Sequence, residues 1–133
     1  MYGFQVNLSY RTSPLFSVRE YGYVNGPLLS FDLDGPLPTT GSTCMAKGFP
    51  AGSNVALVLG IDPTDQVVNN LQERLLLIPL AALPLGIAAA NGTALTKLSL
   101  PNIPLIGVRA QGFSMGGSSV LRASKALVID FLP

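Results

Sequence analysis

The chain has 133 residues, eight Lys or Arg against seven Asp or Glu, and only 11% charged residues, where an ordinary soluble domain carries about 25%. A net charge of +1 with no basic cluster argues against nucleic acid as a partner, because neutralising phosphates takes several Lys or Arg on one face. A single cysteine, Cys44, excludes an intrachain disulfide and a cysteine-based zinc cluster.

The start of the chain, MYGFQVNLSYRTS, lacks a basic segment followed by an apolar run and a small-residue cleavage site, so no secretory signal is expected in it as written. Within it the spacing is period two: Phe4, Val6, Leu8 and Tyr10 alternate with Gln5, Asn7 and Ser9, the pattern of a half-buried strand. A second strand candidate is LFSVREYGYV (15–24). In LLSFDLD the alternation turns Leu29, Phe31 and Leu33 inward. Further candidates are STCMAKGF (42–49) and NVALVLG (54–60), with Cys44 read as a half-buried strand cysteine.

The segment DPTDQVVNNLQERLLLI admits two readings. Val67, Val68, Leu71 and Leu75 are spaced for one face of a short helix capped by Thr64 or Asp65. The competing reading is a surface loop feeding a strand RLLLIPL (74–80), which Asn69-Asn70 suits equally. The uncharged run from Leu75 to Ala90 is shorter than a membrane-spanning helix needs and is broken by Pro79, Pro84 and Gly86. Two buried strands joined by a proline turn are expected there. Asn91-Gly92, between LPLGIAAA (83–90) and TALTKLSL (93–100), is the strongest hairpin signal in the chain and predicts an antiparallel pair over 83–100. Two strands close the sequence: LIGVRAQGFSM (105–115), and ALVIDFL, with Leu127, Ile129 and Phe131 on one face and Asp130 on the other.

Nine or ten short strands cut apart by Gly and Pro are too many for one sheet of this size. The expected fold is all-β: a two-sheet antiparallel β-sandwich with Greek-key or jelly-roll connections, a closed barrel being the alternative. It forms one domain over residues 1–133, with 1–35 as a strand-rich N-terminal extension or arm.

Gly112-Phe113-Ser114-Met115-Gly116 matches G-x-S-x-G, the nucleophile elbow of α/β-hydrolases. A serine nucleophile needs a base, and the chain has no histidine; Lys47, Lys97 or Lys125 would have to be buried and neutral to serve. Asp32 with Asp34, and Asp62 with Asp65, are carboxylate pairs without the further oxygen ligands of a calcium loop, and read as solvated carboxylates beside turns. Glu20 and Glu73 have no acidic neighbour in sequence, which argues against a glycosidase pair. The sequons at Asn7 and Asn91 are accounted for by strand alternation and by the hairpin. Tyr2, Phe4, Tyr10, Phe16, Tyr21 and Tyr23 crowd the first 23 residues. They read as anchors of an arm or caps of a core, ahead of a carbohydrate-stacking platform. No catalytic, cofactor-binding or metal site is expected, and no cofactor.

From Pro36 onward the order PLPTTGSTCMAKGFPAGSNVALVLG, then PLGIAAANGTALTKLSLPNIPLIGVRAQGFSM, then KALVIDF resembles small β-sandwich modules of secreted or surface proteins of planctomycetes and myxobacteria. The matching features are Asn91-Gly92, the run Leu100 to Gly107 and Ala110-Gln111, over roughly residues 36–132. The resemblance implies a β-sandwich and a non-catalytic surface or structural role, and it carries no catalytic signature. Residues 1–35 have no counterpart in it.

Low charge beside 48% hydrophobic residues predicts a surface unusually rich in Ser, Thr, Asn and Gly together with some apolar surface that meets other protein. The expected function is a non-enzymatic structural protein that forms a homo-oligomer or larger assembly through apolar surface and the N-terminal arm. A virion coat or decoration protein is the leading instance. The alternative is an extracellular or cell-surface module binding a glycan or surface ligand. The expected location is accordingly a virion or the cell exterior.

Overall fold

A computed structural model describes residues 16–22, 26–33, 41–98, 105–115 and 121–131. The described residues form ten strands and no helix: β1 (Phe16–Tyr21), β2 (Leu28–Leu33), β3 (Ser42–Lys47), β4 (Asn54–Gly60), β5 (Pro63–Gln66), β6 (Leu75–Leu77), β7 (Ala81–Ile87), β8 (Ala94–Leu98), β9 (Leu105–Met115) and β10 (Ala123–Phe131). They build a five-stranded sheet in the order β1-β10-β9-β4-β7, a three-stranded sheet β2-β3-β8, and a small ribbon β5-β6. Every strand pair is antiparallel, and the two larger sheets pack face to face as a β-sandwich.

The core between the sheets is built by the expected alternation. Leu29 and Phe31 of β2 and Cys44 and Ala46 of β3 face Val18, Val55, Leu57, Leu85, Ala110, Leu127 and Ile129 of the larger sheet, all buried. The side chain of Leu33 and the strand-like run Phe4–Tyr10 lie outside the described residues. Burying such aliphatic and aromatic side chains stabilises by roughly 1.5–3 kcal/mol each.

Alternation alone does not account for β10. Leu127 and Ile129 enter the core as expected, but Val128 on the opposite face is also buried, with Tyr21, Ala126 and Leu76. The reason is a strap. Leaving β4 at Gly60, the chain runs through the β5-β6 ribbon and folds over the outer face of the five-stranded sheet. It returns as β7 beside β4, where Leu80 N donates to Leu59 O at 2.8 Å. A Cβ at Gly60 would stand 2.2 Å from the Ile78 carbonyl oxygen, so only glycine permits this crossing.

Within the strap the helical reading gives way to a strand and a loop. Val67 and Val68 are exposed, Asn70 takes a left-handed φ of 66°, and Leu71, Leu76 and Leu77 are buried. A helix here would have needed a core on its Val67 side, and the sheet lies under the leucines instead.

The predicted pairing over 83–100 does not form: β7 joins β4 in one sheet and β8 joins β3 in the other. The turn itself is present. Gly92 N donates to Ala89 O, Ala89 N donates to Thr93 O, and Gly92 carries a φ of 81°. Phe49 N also donates to Gly92 O, which fastens the turn to the neighbouring β3–β4 connection. Leu85 and Ala88 before the turn and Ala94 after it enter one core from opposite sheets, so the turn is a corner of the sandwich.

Candidate interaction surface

Several of the chemistry-bearing residues singled out in the sequence, Ser114, Lys125, Asp65 and Asn91 among them, are bonded within the fold. Ser114 sits within β9, buried, with no strand-to-helix elbow, and its Oγ accepts from Arg122 N at 2.9 Å. Lys47 and Lys97 are exposed, while Lys125 is buried against Glu20 at 2.8 Å. Asp65 pairs with Arg74 inside the strap. Asp62 is exposed, Asp32 is half-buried in β2 opposite Thr43, and Asp34 lies outside the described residues. No group of three metal-ligating side chains gathers among the described residues. Asn91 Oδ1 accepts from Thr93 N at 3.2 Å, a turn-closing bond.

Of the early aromatics, Tyr21 is buried on the outer face of the five-stranded sheet. Its hydroxyl donates to Leu76 O at 2.9 Å, and the Arg109 guanidinium lies 5.1 Å from its ring centroid. That ring is occupied, so Tyr21 offers no stacking platform. Tyr2, Phe4, Tyr10 and Tyr23 lie outside the described residues, as does the side chain of Phe16.

Cys44 is fully enclosed in the core, and burial pushes its thiol up to about 12. The neutral thiol is therefore favoured in the folded protein. Because the folded value lies above the ordinary 9.0, this contribution to stability is complete below pH 9 and is lost as pH rises toward 12. Maleimide at pH 8 is expected to label Cys44 only after denaturant is added. A Cys44→Ala variant should lose less stability than wild type between pH 9 and 12 in urea titrations.

Two residues that the sequence left without a role prove central. Gln111 of β9 is completely buried under the strap. Its Oε1 accepts from Leu76 N at 3.0 Å, and its Nε2 donates to Arg74 O and to Ser124 O, each at 2.9 Å. Glu73 receives three bonds from Arg122, two from Nε and one from Nη2, and a fourth from Ala123 N at 2.8 Å, and this carboxylate raises the Arg122 pKa above its ordinary value. The strap is thus bolted to β9 and β10 at two points. Gln111 falls in the Ala110-Gln111 pair that the sequence shows, but nothing in the local pattern marks a glutamine as buried.

One exposed region is apolar. No charged residue occurs between Lys47 and Asp62 or between Arg74 and Lys97, the stretches that supply β4 and β7. The ion pairs Arg19–Asp130, Glu20–Lys125, Asp65–Arg74 and Glu73–Arg122 lie instead along β1, β10 and the strap. On the edge strand β7 only Leu85 is buried; Leu80 and Ile87 are each 67% exposed, and Leu83 is exposed beside them.

Small side chains hollow this face. A groove of about 470 Å³ is floored by Ala56, Val58 and Ala82 and walled by Leu75, Leu80 and Phe113. A second, of about 460 Å³, continues from it past Ala56 and Ala82 to Pro84 and Gly86. Together they make one apolar trough along the outer face of β4 and β7. Pro84 removes a backbone donor from the β7 edge, which disfavours simple edge-to-edge strand addition and leaves side-chain packing as the mode of contact.

Comparison of the chain with protein-family models, curated proteins and solved structures finds no match. The likeness to planctomycete and myxobacterial modules therefore rests on the residue pattern alone. The class that the fold defines is an all-β, two-sheet sandwich.

Proposed function

We propose that this protein is a non-catalytic structural protein that works in many copies, self-associating or docking on a larger particle, with a virion coat or decoration protein as the particular form. The observation that carries the reading is the charge-free, exposed face of β4 and β7. Contiguous apolar surface of this kind, with leucine and isoleucine standing out from an edge strand, marks a site of protein contact. The side chains of the serine, lysine and carboxylate candidates add support, since Ser114, Lys125, Asp65 and Glu73 are engaged in bonds that hold the fold.

The test is the mass of the purified chain by light scattering after size exclusion. A multi-copy species is expected, and Leu80→Asp/Ile87→Asp is expected to shift it to monomer with an unchanged far-UV spectrum. A wild-type monomer that bound polysaccharide would overturn this reading in favour of an extracellular ligand-binding module.

A further inference from the structure

The trough on β4 and β7 has the length and chemistry to receive an extended segment, and this chain carries a matching one. Residues 4–10 put Phe4, Val6, Leu8 and Tyr10 on one face, uncharged throughout. Seven residues in extended form span roughly 24 Å, and β7 is itself seven residues long. We propose that the apolar face of residues 4–10 of one copy fills the β4–β7 trough of a neighbouring copy. This rests on the multi-copy reading above and specifies its interface.

Register decides that the donor is another copy. Residues 11–15 connect Tyr10 to Phe16, and six virtual bonds reach at most about 21 Å. Phe16 lies opposite Phe131, which lies opposite Leu105, whereas the near end of the trough at Val58 lies opposite Gln111. Tyr21 of β1 lies opposite Ala126 and so in line with Gln111; it is five residues from Phe16, about 17 Å along the strand, and β1 to β4 is three strand spacings, about 14 Å. The straight path is therefore about 22 Å, already at the limit of the connector, and the strap, packed over Tyr21, Ala126 and Val128, stands across it and lengthens any route between the two. The connector is too short to bring its own segment to its own trough.

A symmetry follows. The segment leaves from one edge of the five-stranded sheet, and the trough lies at the opposite edge, so donor and acceptor are different patches. Exchanged reciprocally between two copies the contact gives a two-fold dimer, and repeated in one direction it gives a ring or a filament.

The test uses two full-length variants, each first checked for wild-type far-UV spectrum and thermal midpoint. Val6→Asp/Leu8→Asp spoils the donor and keeps the trough. Ala82→Arg blocks the trough and keeps the donor. Each alone is expected to run as a monomer, and an equimolar mixture is expected to give a one-to-one heterodimer that grows no further, read by native mass spectrometry. If wild type assembles and the donor variant assembles equally well, or if the mixture stays monomeric, the donor-and-trough contact is wrong while the multi-copy reading stands. A wild-type monomer would remove both.

Discussion

Replacing Gln111 with Leu is expected to destabilise the protein by about 3–5 kcal/mol, among the largest effects of any single substitution in the strap or beneath it. The change is close in volume, so packing is not the cause. It leaves Leu76 N, Arg74 O and Ser124 O without their partner in a completely buried place, and each orphaned buried group costs roughly 1–3 kcal/mol. Set against a typical stability of about 5–15 kcal/mol, the loss is large. It falls first on the strap: Arg74 O and Leu76 N belong to it, whereas Ser124 O belongs to β10. The urea midpoint should drop, and trypsin should cut after Arg74 well below the midpoint of global unfolding. Gln111→Glu should not rescue it, because a carboxylate accepts from Leu76 N but cannot donate to the Arg74 and Ser124 carbonyls. If Gln111→Leu matched wild type in both assays, the glutamine would not be the bolt that the geometry describes.

The second large effect concerns Glu20 and Lys125. Their charged groups meet at 2.8 Å with only 13% and 9% of the side chains exposed. Breaking a buried pair by removing one partner strands a charge away from water and costs about 3–5 kcal/mol. Lys125→Met and Glu20→Leu are each expected to show a loss of that order in urea unfolding. The double variant should lose much less than the sum, since two apolar side chains of similar volume leave nothing uncompensated. Additive losses would mean that the two groups do not depend on one another.

Both effects arise from contacts between residues far apart in the chain, and this separates what was legible in the sequence from what was not. The period-two runs were legible because a strand with one face on a core must alternate, whatever it pairs with. NVALVLG and LIGVRAQGFSM match β4 and β9 residue for residue, and Leu29 and Phe31 point inward as the alternation required. Ser114 was read correctly as a residue of the strand LIGVRAQGFSM. Asn91-Gly92 gave the turn but misdirected the pairing: turn chemistry specifies the local bend and says nothing of which sheet receives the next strand.

Composition and alternation by themselves determined that this protein is all-β, that its strands are short and numerous, and that too few charges exist to cover its surface. Only the tertiary structure decided which strands are neighbours, that residues 61–80 cross the outer face of a sheet, and that Gln111 and Lys125 are buried, the lysine against a half-buried Glu20. The physical reason is the range of the interactions. Alternation and turn propensity act over a few residues, whereas strap burial, the glutamine bolt and the ion pair depend on surfaces brought together from opposite ends of the chain. The charge-free stretches around β4 and β7 could be read in the sequence, but their merging into one exposed trough came from antiparallel pairing across the strap that separates them.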